Sequence, residues 1–240
     1  MTFKGIIFDK DGTLIDFDAF WVSVCREAMS RVVKSAGADL SLLDEILLRL
    51  GVKDGVTDVD GILCSGTYEQ MGDVAYEVIT ASSCAADCEK IIEMTIEEHK
   101  KCAPLGLVRP TCEGLKEALS KLKAAGLRLA VVTTDTKEIT EICLDALGIT
   151  ELFDEIYCDD GIHPTKPDPY YALEFSKKYG ISTEQMAMVG DTLTDMRFAK
   201  NSGLLAIGVS KSEEGRLRLA PLADKVICKI SELCDEVLAL

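Results

Sequence analysis

From residue 105 onward, short apolar runs closed by polar residues alternate with stretches whose apolar side chains recur at helical spacing, and few folds accept that pattern. A helix is predicted over 111–125, with Leu115, Leu119 and Leu122 on one face and Gly126 as its stop. A strand over 128–132 follows and ends in Thr133-Thr134-Asp135. A helix over 136–147 stops at Gly148, a short strand spans 155–158, and Asp168-Pro169 opens another helix. The run 186–189 closes in Gly190-Asp191, a helix continues to about residue 202, and a strand spans 205–209. A last strand and helix cover 225–238. Residues 3–8 show the same signature much earlier, ending abruptly in Asp9-Lys10-Asp11-Gly12-Thr13. Continuously apolar strands separated by helices predict an α/β chain with a doubly wound parallel sheet.

Residues 16–104 break this alternation. They contain amphipathic stretches at 19–35, 40–50, 68–81 and 85–101 and no convincing strand, which predicts an α-helical insertion. The expected division is therefore a core of 1–15 with 105–240 and an inserted helical domain of 16–104. Two connections would hinge that domain at the C-terminal edge of the sheet, where ligands bind in such folds.

Twenty-six Lys plus Arg against 41 Asp plus Glu give a formal charge of −15, which repels polyanions and argues against nucleic acid and anionic membranes as partners. No stretch approaches the roughly 20 apolar residues of a membrane span, and the N-terminal apolar run is short for a signal peptide, so a cytoplasmic location is expected. The ten cysteines include no CxxC pair and are expected to be reduced core thiols. Cys84 and Cys88 make a poor zinc site without further ligands. The two histidines, His99 and His163, have no clustered partners and are expected to be non-catalytic.

In a parallel sheet all strand C-termini lie on one edge, so Asp9, Asp11, Thr133, Lys166, Asp191 and Asp195 are expected to converge although they are far apart in sequence. Carboxylates sharing one crevice repel one another unless a cation sits among them, and hard oxygen donors suit Mg²⁺. One carboxylate of such a cluster can attack phosphorus while a neighbour handles the proton. Thr133 offers a hydroxyl, with Thr134 as its neighbouring alternative, and Lys166 offers a cation for the phosphoryl oxygens. Calcium loops fail on spacing: after Asp9 the sixth position is Leu14 rather than glycine, and the stretch 56–67 begins with Val56 and ends with Thr67. Asp195 has a second reading, because Thr192-x-x-Asp195 is a capping box.

Phe8-Asp9-Lys10-Asp11-Gly12-Thr13-Leu14, Val131-Val132-Thr133, Lys166-Pro167-Asp168-Pro169 and Gly190-Asp191-Thr192-Leu193-Thr194-Asp195 resemble the four ordered motifs of the haloacid dehalogenase superfamily. The insertion falls where a large branch of that family carries its cap. The resemblance implies a Rossmann-like core, Asp9 as nucleophile and Asp11 as general acid and base. It implies Thr133 and Lys166 as phosphate binders, and a Mg²⁺ site of Asp9, Asp191 and the Asp11 backbone carbonyl, with Asp195 acting directly or through water. The glycine-rich loop at 51–67, ending in Ser65-Gly66-Thr67, is a candidate specificity segment.

The expected function is a Mg²⁺-dependent phosphatase for a small phosphorylated metabolite, working through an aspartyl-phosphate on Asp9. The motif context looks most like phosphoglycolate phosphatase-type members. A phosphosugar mutase of the β-phosphoglucomutase-like kind is the alternative, and a non-catalytic phosphate-binding regulatory protein is a further one. The chain is expected to be a monomer or dimer.

Overall fold

The computed structural model describes residues 3–233, which form two compact units: residues up to 16 with those from 109 onward, and residues 17–108. The first unit begins with β1 (Gly5–Phe8), whose four residues are all buried. After β1 the Lys10 carbonyl accepts the N–H groups of Leu14 (2.8 Å) and Ile15 (2.9 Å), closing a tight turn. Ile15 then bridges antiparallel to Pro110, and Asp16 N–H donates to the Arg109 carbonyl at 2.9 Å. The departing and returning chains therefore run side by side within this unit.

The insertion opens with a wide helical turn, Asp18–Val22, that runs directly into α1 (Ser23–Ser35). It continues with α2 (Leu43–Arg49), the hairpin strands β2 (Val52–Lys53) and β3 (Val56–Thr57), and the helices α3 (Ile62–Ser65), α4 (Tyr68–Ala81) and α5 (Cys88–Cys102). Met29, Val32, Val33, Ile46, Leu47, Ile79 and Ile91 form its core, drawn from the apolar faces of α1, α2, α4 and α5. Phe20 is also fully buried, and its ring fills the space beside Gly106, where a Cβ would stand 2.3 Å away. Leu107 N–H donates to Ser23 Oγ at 3.0 Å. These contacts tie residues 105–108 to the insertion, so the unit ends four residues later than the expected boundary at 104.

The hairpin differs from the strand-free expectation for this region. Its turn is Asp54-Gly55, with φ of +53° and +80°, the positive pair that a two-residue hairpin turn requires and that Asp-Gly favours. Asp18 anchors it by accepting from Thr57 N–H (3.0 Å) and Thr57 Oγ1 (2.6 Å).

The first unit resumes with α6 (Leu115–Ala124), β4 (Arg128–Val132), α7 (Lys137–Leu147), β5 (Glu155–Tyr157) and α8 (Tyr170–Tyr179). It continues through β6 (Met186–Gly190), α9 (Leu193–Ser202), β7 (Leu205–Val209), α10 (Glu213–Leu219) and β8 (Lys225–Ile227). The six strands pair in parallel in the order β5-β4-β1-β6-β7-β8. This is the doubly wound sheet the alternation predicts, with helices following its strands. Strand order reverses at β1, which places the ligand crevice of such a sheet beside its C-terminal end. A short helical turn, Ile230–Glu232, follows β8, and the rest of the helix expected up to 238 lies outside the described residues.

No described helix is long and apolar enough to cross a membrane. All nine described cysteines are unbridged, but only Cys25, Cys102 and Cys143 are buried, and Cys228 is exposed. Cys234 lies outside the described residues.

Candidate active site

Register carries the site residues to one place. Phe8 of β1 pairs with Val131 of β4 and with Val189 of β6, so Asp9, Thr133 and Asp191 follow strand ends that are level. Asp9 N–H donates to the Val189 carbonyl at 2.9 Å, fixing the first carboxylate to the strand that delivers the others. Carboxylate oxygens of Asp9, Asp191 and Asp195 lie within 4.8 Å of one another. Lys166 Nζ is buried and donates to Asp9 Oδ1 and, at 2.7 Å, to Asp195 Oδ1.

Asp195 is held by its helix as well as by Lys166. Its Oδ2 accepts from Thr192 N–H (3.0 Å) and Thr192 Oγ1 (2.5 Å), completing the capping box at the start of α9. The capping box and the three-carboxylate group therefore share one side chain. Thr13 Oγ1 donates to Asp191 Oδ1 at 3.1 Å. Gly12 has φ +79°, and a Cβ there would stand 2.1 Å from Asp191 Oδ2, so the turn after Asp11 must carry glycine for Asp191 to occupy its place. The Lys166 loop is tied to the core by Asn201 Nδ2, which donates to the Pro167 carbonyl at 2.9 Å, and the Lys166–Pro167 peptide is cis.

Electrostatics follow from burial and crowding. Burial pushes the Asp9 carboxyl up to about 7, with Lys166 pulling it down and Asp195 and Asp11 pushing it further up. Burial and the charges of Asp9 and Asp195 raise Asp191 well above the usual carboxylate range. Burial opposes the charge of the Lys166 ammonium, yet Asp195 and Asp9 outweigh it and raise its proton affinity.

Asp11 occupies a different environment. Its Oδ2 lies 2.6 Å from Lys10 Nζ, which in turn lies 2.8 Å from Asp135 Oδ2. Burial raises Asp11 to about 6; Lys10 lowers it and Asp135 raises it. The Asp11 carboxylate is not a member of the three-carboxylate group. Thr133 is buried at the end of β4, and its Oγ1 accepts from Asp135 N–H at 3.1 Å, whereas Thr134 is exposed.

The profile of the family described as haloacid dehalogenase-like hydrolase matches residues 3–203. The chain belongs to that family. This haloacid dehalogenase-like hydrolase is 30% identical to a phosphoglycolate phosphatase of Agrobacterium fabrum over 85% of its length and 79% of the relative's. It is 33% identical to a pyrophosphatase PpaX of Halalkalibacterium halodurans over 85% and 82% of the two chains. Among solved structures, a predicted phosphoglycolate phosphatase from Haemophilus somnus superposes with a TM-score of 0.70 at 20% identity, covering 98% of each chain.

Three of the hydrolase's expected site residues have local structural roles in the insertion. Thr67 caps α4 in a capping box with Gln70, Ser65 Oγ donates to the Gly61 carbonyl at 3.0 Å, and Gly66 packs against Ile62. His99 is buried, its Nδ1 2.8 Å from the Thr95 carbonyl, and His163 pairs at 2.7 Å with Asp160 on an exposed loop. Cys84 and Cys88 turn to separate acceptors, the Ala36 carbonyl and Asp73. The residues that sequence reasoning passed over are Thr13 and Asp135. Asp135 lies two residues beyond Thr133, as Asp11 lies two beyond Asp9, and that spacing at a strand end was the available signal.

Proposed function

We propose that the chain is a Mg²⁺-dependent phosphohydrolase for a small phosphorylated metabolite, of the phosphoglycolate phosphatase or pyrophosphatase class, acting through an aspartyl-phosphate on Asp9. The observation that carries this reading is the Asp9 carboxylate, fixed at the end of β1 beside the Lys166 ammonium and within the group of Asp9, Asp191 and Asp195. Three oxygen-donor side chains with a single ammonium among them leave a surplus of negative charge, which fits a divalent cation of the hard type. Asp9, Asp191 and Asp195 would hold it, and when bound it offsets the charge that an incoming phosphate would otherwise meet.

The protein's own groups then divide the chemistry. An Asp9 oxygen attacks phosphorus as the bond to the leaving oxygen breaks, and Asp11 supplies the proton that oxygen needs. Asp11, now a carboxylate, takes a proton from the water that attacks phosphorus, releasing inorganic phosphate and restoring Asp9. Lys166 and the hydroxyl of Thr133 serve the non-bridging phosphoryl oxygens, where charge is stabilised in the transition state. Substrate selection is assigned to residues 17–108, with their Ser65-Gly66-Thr67 segment.

The test is phosphate release by the purified protein with Mg²⁺ from phosphoglycolate, pyrophosphate and hexose phosphates. The expected result is release from at least one, lost on chelation and in Asp9→Asn. Interconversion of hexose phosphates without release would instead assign the mutase reaction, and inactivity on the whole panel would overturn the enzymatic reading.

A further inference from the structure

Lys10 lies between Asp9 and Asp11 in sequence and between Asp11 and Asp135 in space. Its side chain is fully buried, and its Nζ is 2.6 Å from Asp11 Oδ2 and 2.8 Å from Asp135 Oδ2. Both ends of this chain of charges are fixed. Asp135 N–H donates to Thr133 Oγ1 (3.1 Å) and its carbonyl accepts from Asp159 N–H (2.9 Å), while the Lys10 carbonyl closes the turn through Leu14 and Ile15. The level register of β1 and β4 brings Asp135 to Lys10.

Stability alone is a poor reason for this arrangement. A buried ion pair often contributes no more than an apolar side chain of similar volume in the same place, because desolvation consumes the Coulombic gain. What Lys10 does achieve is directional. Asp11 stands two residues from Asp9, at the edge of a site built to attract a cation, and a carboxylate free to turn there would become a fourth donor to it. A carboxylate that ligates a cation is a weaker base and is turned toward the metal rather than toward the oxygen that needs the proton. In the structure the Asp11 carboxylate stays with Lys10, outside the group formed by Asp9, Asp191 and Asp195.

We propose that Lys10, anchored by Asp135, is a positioning residue that keeps the Asp11 carboxylate directed to proton transfer and away from the three-carboxylate cation site. The inference rests on the phosphohydrolase reading above and adds to it the reason why a buried lysine stands at this position. Lys10 is fully buried against Asp11 and Asp135, so its effect is expected in the steps in which Asp11 moves a proton.

That confinement gives the test. With Mg²⁺ present, the first-turnover rate of leaving-group release is compared for an alkyl phosphate, whose poor leaving group needs a general acid, and p-nitrophenyl phosphate, whose leaving group does not. Lys10→Met should lower the alkyl phosphate rate by about 10²-fold, with a much smaller loss on p-nitrophenyl phosphate. Because Lys10→Met leaves Asp11 and Asp135 facing each other, the double variant Lys10→Met with Asp135→Asn is measured beside it and should show the same selectivity. Equal losses on both substrates, or no loss on either, would overturn the proposal. Absence of turnover in the wild-type protein would instead remove the phosphohydrolase reading, so the two failures are distinguishable.

Discussion

Two buried lysines stand at the C-terminal edge of the sheet, each between two aspartates, and they are not equivalent. Lys166 faces Asp9 and Asp195, with Asp191 completing a group of three carboxylates within 4.8 Å. Lys10 faces Asp11 and Asp135, and no third carboxylate joins them in a comparable group among the described residues. The same residue types thus make one cluster with charge left over for a cation and another whose ammonium is engaged by its two partners. The number and convergence of carboxylates, rather than the presence of a lysine, separates the two clusters.

Removing Asp9, the proposed nucleophile, breaks the Lys166 cluster most severely. Asp9→Asn should lower kcat by at least about 10⁴-fold while circular dichroism shows the fold retained, and residual turnover near wild type would remove Asp9 from the chemistry. Lys166→Met comes next, with an expected loss of about 10²–10³-fold in kcat, since on the proposed mechanism it takes a donor from the phosphoryl oxygens. If Lys166→Met lost no more than Lys10→Met on p-nitrophenyl phosphate, the distinction between the clusters would fail.

Gly12→Ala sharpens the comparison from the backbone. A side chain at φ +79° costs about 1–2 kcal/mol, and its Cβ would displace Asp191. Weaker Mg²⁺ binding in calorimetric titration is expected, with the Lys10 to Asp11 pairing kept in a crystal structure of the variant.

The smallest effect is on stability against pH. Asp9 is raised to about 7 and Asp11 to about 6, so between pH 4 and these values the folded protein binds more protons than the unfolded chain. Stability of the metal-free protein should therefore fall as pH rises through this window. The gain in Tm on adding Mg²⁺ should grow over the same range, because at low pH the cation must displace protons. A Mg²⁺ gain independent of pH would argue that the acidic group is not its site.

The sheet and the convergence of its strand ends were legible because they depend on local patterns: apolar runs, glycine stops and polar residues at fixed positions. The hairpin at Asp54-Gly55 was legible in principle but is only two residues long on each side, too short for alternation to show. The pairing of Lys10 with Asp135 was not legible, since it depends on the register between strands more than a hundred residues apart. The later end of the insertion depends on Gly106 meeting the Phe20 ring, a tertiary contact with no local signature. The cysteines were expected in the core, yet most sit at intermediate or exposed positions, where a small side chain in partial contact with water needs no partner.

The bridge between Ile15 and Pro110, with the hydrogen bond from Asp16 to Arg109, has a consequence for how such a chain can change over time. The two ends of the insertion are anchored about 5 Å apart, the distance across one β ladder. The core would pay only modestly more closure entropy for an inserted domain than for a tight turn, since loop length enters only logarithmically. Residues 17–108 are in this sense a graft at a single junction, free to diverge in sequence, size or identity while the strands beneath keep their register.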